Sequence, residues 1–371
     1  MGPMSTPMPF PSPRPGRPAA QRSPLRSPRR RPAAALVLVA AACMVVAPPG
    51  VAGAHEPDRA HEPDRAHEPD RAPILRLVGG EPAAASPARP QADPVVDRSA
   101  DHLVARGDSL ASIGARYGVG TRLVVAENGL DARKPLRPGA TLKVTARHVV
   151  PPPLDDGIVI NLPQRMLFLF RAGRVASAYP VAVGRSDWPT PTGDFKVANR
   201  QTDKTWIVPV SIQEEMRREG KPVLTEVPPG PDNPLGRHWI GLSLPAIGIH
   251  GTIAPASVYG FRSHGCIRVH PDDIAELFDR VSVGERGRIV YLPLLLAQGE
   301  DGRIWFEANA DAYRRGAGTL ETVRAMARDR GIAEESIDWQ LIATMLRARD
   351  GLAREVGVDR DRSAERIAGG G

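Results

Sequence analysis

Short apolar runs separated by turn residues fill the segment 157–292, and that rhythm points to a β-rich fold. The runs at 158–162, 166–170, 175–183, 195–198, 238–242, 247–250 and 288–292 each read as a strand. Ala172-Gly173 supplies a hairpin turn between the second and third. One clear helix follows Pro271, with Ile274, Leu277 and Phe278 on a single face. The expectation is a mainly β domain with one or two helices.

Ahead of this domain the chain changes character. The first 54 residues carry Arg14, Arg17, Arg22, Arg26, Arg29, Arg30 and Arg31 and no acidic residue. An apolar stretch at 33–47 follows, and Ala52-Gly53-Ala54 fits a small-residue cleavage site, the layout of a secretory signal. The apolar part is short for a membrane span. Lipoprotein cleavage at Cys43 is the rival reading, although Ala40-Ala41-Ala42 lacks the usual leucine. Without those arginines the formal charge of +7 falls to about zero. The basic balance therefore belongs to the export segment, and nucleic acid is set aside as a partner. Three tandem copies of His-Glu-Pro-Asp-Arg-Ala run from His55 to Ala72, and Pro/Ala-rich sequence continues to residue 100. Regular prolines make this a solvated spacer rather than a row of metal ligands.

Residues 102–148 read as a separate compact unit. A strand at 102–106 enters the turn and N-cap Gly107-Asp108-Ser109. Leu110, Ile113 and Tyr117, then Leu123, Val124 and Ala126, mark two short helices. Asn128-Gly129 and Pro138-Gly139 turn the chain into a closing strand at 141–145. This β-α-α-β order, with its glycine turns, resembles the LysM module. The resemblance implies binding to glycan strands containing N-acetylglucosamine; a small structural domain without a ligand is the other reading.

Cys266 is the only cysteine left once the signal is removed, so it has no internal disulfide partner. It lies in Ser263-His264-Gly265-Cys266-Ile267-Arg268. A thiol attacks carbonyls as thiolate, and a free thiol of pKa about 8.5 is only slightly ionised at neutral pH. His250, in Gly248-Ile249-His250-Gly251-Thr252, and His264 both offer a base. Gly265 lets the backbone approach substrate, and the Gly265 and Cys266 amides are natural donors to an oxyanion. In an extended segment His264, Cys266 and Arg268 share one face, where Arg268 can hold a substrate carboxylate. Two other readings fit the same residues: a Cys-His₃ zinc site from His250, His264, Cys266 and His270, and an inert buried thiol.

His250-Gly251-Thr252 followed by Ser263-His264-Gly265-Cys266-Ile267-Arg268-Val269 resembles the active-site motif of YkuD-type L,D-transpeptidases. Trp188-Pro189-Thr190-Pro191-Thr192-Gly193-Asp194-Phe195 and the run from Pro228 to Gly236 match further motifs. With its signal, LysM-like unit and C-terminal extension, the chain resembles the periplasmic ErfK subgroup of Gram-negative bacteria. The resemblance implies a YkuD-like mixed β-sandwich with Cys266 as nucleophile and His250 as general base. The Gly251 carbonyl would hold the His250 ring, and His264 and Gly265 would shape the oxyanion pocket. Ser263 and Arg268 would contact substrate. Tyr259, in a stretch that departs from the family pattern, is expected at the lip of the site.

The implied reaction is attack on the third residue of a peptidoglycan tetrapeptide stem, with release of D-alanine. The acyl group then passes to a diaminopimelate amine or to the lysine of an outer-membrane lipoprotein. No cofactor or metal is called for. An L,D-carboxypeptidase and a non-catalytic wall-binding protein are the alternatives. The expected layout is signal peptide 1–54, disordered linker 55–100, LysM-like unit 101–149, connector 150–156, catalytic domain 157–293, extension 294–360 and tail 361–371. Within the extension, 302–307 reads as a strand and 320–330 and 336–355 as helices with no chemical role.

Overall fold

The computed structural model describes residues 93–358. The signal peptide, the repeats and the C-terminal tail lie outside the described residues. The first elements are β1 (Val95–Asp97), β2 (Ala100–Leu103), α1 (Leu110–Tyr117), α2 (Thr121–Glu127), β3 (Thr141–Val144) and β4 (Arg147–Val149). β2 pairs antiparallel with β3 beside the two helices, the expected order. The strand at 102–106 ends earlier than its sequence implies. Asp108 accepts from Ala105 N at 2.7 Å and lies 2.9 Å from His102 Nε2, which curls the chain into the turn. Ser109 and Ser112 form a reciprocal cap on α1, and Gly118 ends it at φ +78°. The linker reading is corrected at its C-terminal end. β1 pairs with β4, Val95 opposite Val149, so structured chain begins before residue 101.

The β-rich domain follows with β5 (Gly157–Asn161), β6 (Met166–Arg171), β7 (Arg174–Gly184), β8 (Gly193–Thr202), β9 (Trp206–Ile207), α3 (Val210–Arg218) and β10 (Glu226–Val227). It continues with β11 (His238–Leu242), β12 (Gly248–His250), β13 (Phe261–Ser263), β14 (Ile267–Val269), α4 (Pro271–Arg280) and β15 (Arg286–Val290). Neighbouring strands run β13-β7-β14-β12-β11-β8-β15-β5-β6, and β6 pairs back onto β7. The sheet therefore closes on itself through the long strand β7. Ile160, Leu167, Val181, Val197, Ile240, Ile249, Ile267 and Ile289 point into one core. Three pairings are parallel: β12 with β14, β13 with β7 and β15 with β5. Ala172 and Gly173 both take positive φ, +49° and +73°, as a two-residue hairpin turn of mirror-image type requires.

A third layer follows: β16 (Leu294–Gln298), β17 (Ile304–Ala308), α5 (Leu320–Asp329), α6 (Trp339–Ala348) and β18 (Arg354–Glu355). The helix expected to run to residue 355 stops at Ala348, because Arg349 takes a left-handed conformation at φ +43° and the chain returns as β18. Strand β16 escaped the sequence reading, which ended the β-rich run at residue 292.

One buried polar cluster ties the three parts together. The Glu307 carboxylate on β17 accepts from Val149 N at 2.7 Å, Gln164 Nε2 at 2.8 Å and Asn309 Nδ2 at 3.0 Å. His148 lies 3.3 Å from the same carboxylate and 2.8 Å from the Gly118 carbonyl. A carboxylate so enclosed is tolerated because donors surround it. The small N-terminal unit is thus docked onto the β-rich domain and the extension.

Candidate active site

Strand register builds the site. In the parallel pair β12–β14, His250 stands opposite Arg268 and Ile249 opposite Ile267. Alternation sends the isoleucines into the core and His250 and Arg268 to the other face. Cys266 precedes Ile267, which places it on that same face beside Gly248. On the other flank, β11 sets Trp239 opposite His250. The two rings stack at 5.8 Å with an interplanar angle of 22°. A Cβ on Gly248 would stand 2.4 Å from the Trp239 ring, so glycine is what lets the indole lie along this face.

His250 is 4% exposed, and its Nδ1 lies 2.7 Å from the Gly251 carbonyl. A carbonyl only accepts, so Nδ1 carries the hydrogen and Nε2 keeps its lone pair. Burial and then the Arg268 charge push its pKa down to about 4, against a smaller upward pull from the Gly251 and Leu235 carbonyls. The ring is a neutral base at neutral pH. Burial also pushes the Cys266 thiol up, opposed by the Gly248 N–H and the Arg268 charge. At neutral pH both the Cys266 thiol and the His250 imidazole are therefore uncharged.

The thiol donates to the Ala246 carbonyl at 3.5 Å. Gly265 adopts φ +103°, a region that favours glycine, and separates β13 from β14. Neither the Gly265 nor the Cys266 N–H has an acceptor among the described residues. Two unpaired backbone donors beside a partly exposed thiol form an oxyanion-binding geometry. Arg268 is partly buried with no carboxylate partner among the described residues. Its uncompensated cation suits an anionic group on the substrate.

Three expected site residues face elsewhere. Ser263, 1% exposed, turns inward and donates to the Cys266 carbonyl at 2.5 Å, so it braces the loop instead of contacting substrate. The shared face expected for His264, Cys266 and Arg268 is broken at Gly265. His264 Nε2 instead meets Glu215 of α3 at 2.5 Å, and its ring sits edge-on to Trp188 at 4.8 Å. Its Nε2 is thus engaged with a carboxylate on α3. Tyr259 is not at the lip of the site. Its ring packs with Met166 and Phe168 under the Arg165 guanidinium at 4.2 Å, and 6.0 Å from His148. The zinc reading loses its geometry, since His264 bonds Glu215 and His270 caps α4 through Asp272 N.

The sequence reading missed Trp239, Glu215 and Arg185. Glu215 accepts from Arg185 Nη2 at 3.0 Å as well as meeting His264. Burial raises the Glu215 carboxyl, but the His264 and Arg185 hydrogen bonds outweigh it and leave its pKa below the ordinary value. Trp239 was legible as an aromatic on a strand, but its closeness to His250 depends on register.

Residues 155–290 match the model of the YkuD family, the L,D-transpeptidase catalytic domain, and residues 102–145 match that of the LysM domain. A Salmonella typhimurium protein named probable L,D-transpeptidase ErfK/SrfK is 34% identical over 212 residues, covering 56% of this chain and 68% of its own. The probable L,D-transpeptidase YcfS of Escherichia coli is 32% identical over 225 residues, covering 58% and 69%. The YkuD protein of Bacillus subtilis is 32% identical over 191 residues, covering 50% and 95%. Among solved structures, a mutant Enterococcus faecium L,D-transpeptidase aligns at 24% identity over 37% of this chain and 50% of its own, with a TM-score of 0.29. With residues 155–290 matching the family model, and the Salmonella and Escherichia coli proteins more than 30% identical over more than two thirds of their length, the chain belongs to the YkuD family of L,D-transpeptidases and carries a LysM domain ahead of its catalytic domain.

Proposed function

We propose that this protein is an exported, periplasmic L,D-transpeptidase that uses Cys266 to cleave and transfer tetrapeptide stems of peptidoglycan. The observation that carries the reading is the common face of His250 and Cys266, with two unpaired backbone N–H groups beside the thiol. His250 Nε2 takes the thiol proton as Sγ bonds to the carbonyl carbon of the third stem residue. The oxyanion forms against the Gly265 and Cys266 N–H groups, a term of about 2.7–4 kcal/mol per donor. Collapse breaks the C–N bond to D-alanine, whose nitrogen receives the proton held on His250, and leaves a thioester. An acceptor amine attacks the thioester, His250 removes its proton, and the thiol returns as leaving group. Arg268 holds a carboxylate of the stem. The LysM domain binds glycan and keeps the enzyme on its polymer.

Incubation of the chain from residue 55 with purified disaccharide-tetrapeptide, beside Cys266→Ala, tests this by product mass spectrometry. Cross-linked dimer with free D-alanine, absent in the variant, is the expected result. Tripeptide without dimer would identify water as acceptor, unless adding a lipoprotein bearing a terminal lysine yields a conjugate.

A further inference from the structure

Thr190 is fully buried, and its hydroxyl works in two directions. Gly184 N donates to Thr190 Oγ1 at 2.9 Å, and Oγ1 stands 2.7 Å from the Gly265 carbonyl. A backbone N–H only donates and a carbonyl only accepts, so the hydroxyl hydrogen points at Gly265. A trans peptide aims its C=O and the next N–H in opposite directions. Drawing the Gly265 carbonyl inward to Thr190 therefore turns the Cys266 N–H outward, where no protein group meets it among the described residues.

Thr190 is itself held by the C-terminal extension. The Tyr313 hydroxyl donates to the Gly184 carbonyl at 2.8 Å and accepts from Thr190 N at 3.2 Å. Its ring stacks on Tyr291 at 5.4 Å and meets Phe261 edge-on at 5.7 Å. The approach leaves no slack, since a Cβ on Gly184 would stand 2.2 Å from the Trp188 carbonyl. Tyr313 lies beyond the segment 155–290 that matches the catalytic-domain model.

We infer that Thr190 and Tyr313 are positioning residues that aim the Cys266 N–H at the oxyanion, so that the extension completes the catalytic apparatus. The inference rests on Cys266 being the nucleophile. It contradicts the expectation that nothing in the extension bears on chemistry.

The test compares Thr190→Val, Thr190→Ser and Tyr313→Phe in the chain from residue 55, measuring kcat and KM on disaccharide-tetrapeptide and the rate of Cys266 alkylation by iodoacetamide. Alkylation develops no oxyanion, so it reports the thiol alone. Thr190→Val is expected to lose about 10- to 100-fold in kcat, part of what deleting an oxyanion donor costs, with KM and alkylation near wild type. Thr190→Ser should restore most of the rate, and Tyr313→Phe should lose several-fold, again in kcat. Wild-type kcat in Thr190→Val, a parallel loss of alkylation, or no rescue by serine would overturn the inference. If Thr190→Val does not fold, Tyr313→Phe decides, because removing one hydroxyl leaves the ring stack in place; unchanged kcat there overturns the proposal. Absence of turnover in the wild type would instead overturn the function proposed above.

Discussion

Helices α3 and α4 of the β-rich domain are held by opposite means. α4 has Pro271 at its start, His270 as cap and Asp272 and Asp273 in its first turn, and it buries Ile274 and Leu277. α3 has no side-chain cap, no acid in its first turn and no buried residue. Its tie to the body is Glu215, which engages His264 and Arg185. Nearby Ile207, Val210, Val223 and Leu224 remain exposed. Apolar burial holds α4 continuously, whereas α3 depends on a few oriented charges. α4 is thus fixed by its core face, whereas α3 hangs on a few polar contacts.

The comparison breaks first at the packed helix. Leu277→Ala removes a fully buried side chain and should cost about 2–5 kcal/mol in stability by denaturant titration. A cost below about 1 kcal/mol would show that α4 is not anchored by its core face.

His250 and Glu215 both titrate low, for different reasons. Burial keeps His250 neutral, whereas hydrogen bonds keep Glu215 charged. The unfolded chain protonates His250 near pH 6.5 and the folded chain near pH 4, so stability falls as pH drops between them. That loss is on the order of 3 kcal/mol. The acid limb of kcat/KM should likewise sit near the lower value, and a limb at the ordinary histidine pKa would mean that His250 is solvated. The Glu215 contribution is present above its unfolded carboxylate pKa and is lost as pH falls through the lower folded value.

The smallest effect sharpens the contrast most. Glu215→Gln should change global stability by less than about 1 kcal/mol, as for other partly exposed ion pairs. It should nevertheless speed limited proteolysis between Asp203 and Gly236 several-fold. Unchanged proteolysis would show that contacts other than Glu215 hold α3.

The same contrast explains what could be read from the chain. α4 announced itself through Pro271 and three apolar residues on one face, and the strands through short apolar runs bounded by turn residues. His250 and Cys266 stood out in the sequence because a lone thiol following a glycine, sixteen residues after a histidine at the end of an apolar run, is an unusual pairing. α3 was invisible because a helix that buries nothing leaves no apolar stripe. The shared face expected for His264, Cys266 and Arg268 fails because Gly265 takes φ +103°, which breaks the alternation of an extended segment. Thr190 lay within a recognised motif, yet its partner Tyr313 is more than a hundred residues away in sequence, and only the closed sheet brings them together.

The most direct measurement is intact-protein mass spectrometry of the chain after brief mixing with disaccharide-tetrapeptide and an acid quench. A covalent adduct of disaccharide-tripeptide mass on Cys266, formed with an equivalent of D-alanine and absent in Cys266→Ala, is the expected result. D-alanine released with no adduct, or an adduct that persists in Cys266→Ala, would contradict a cysteine thioester mechanism.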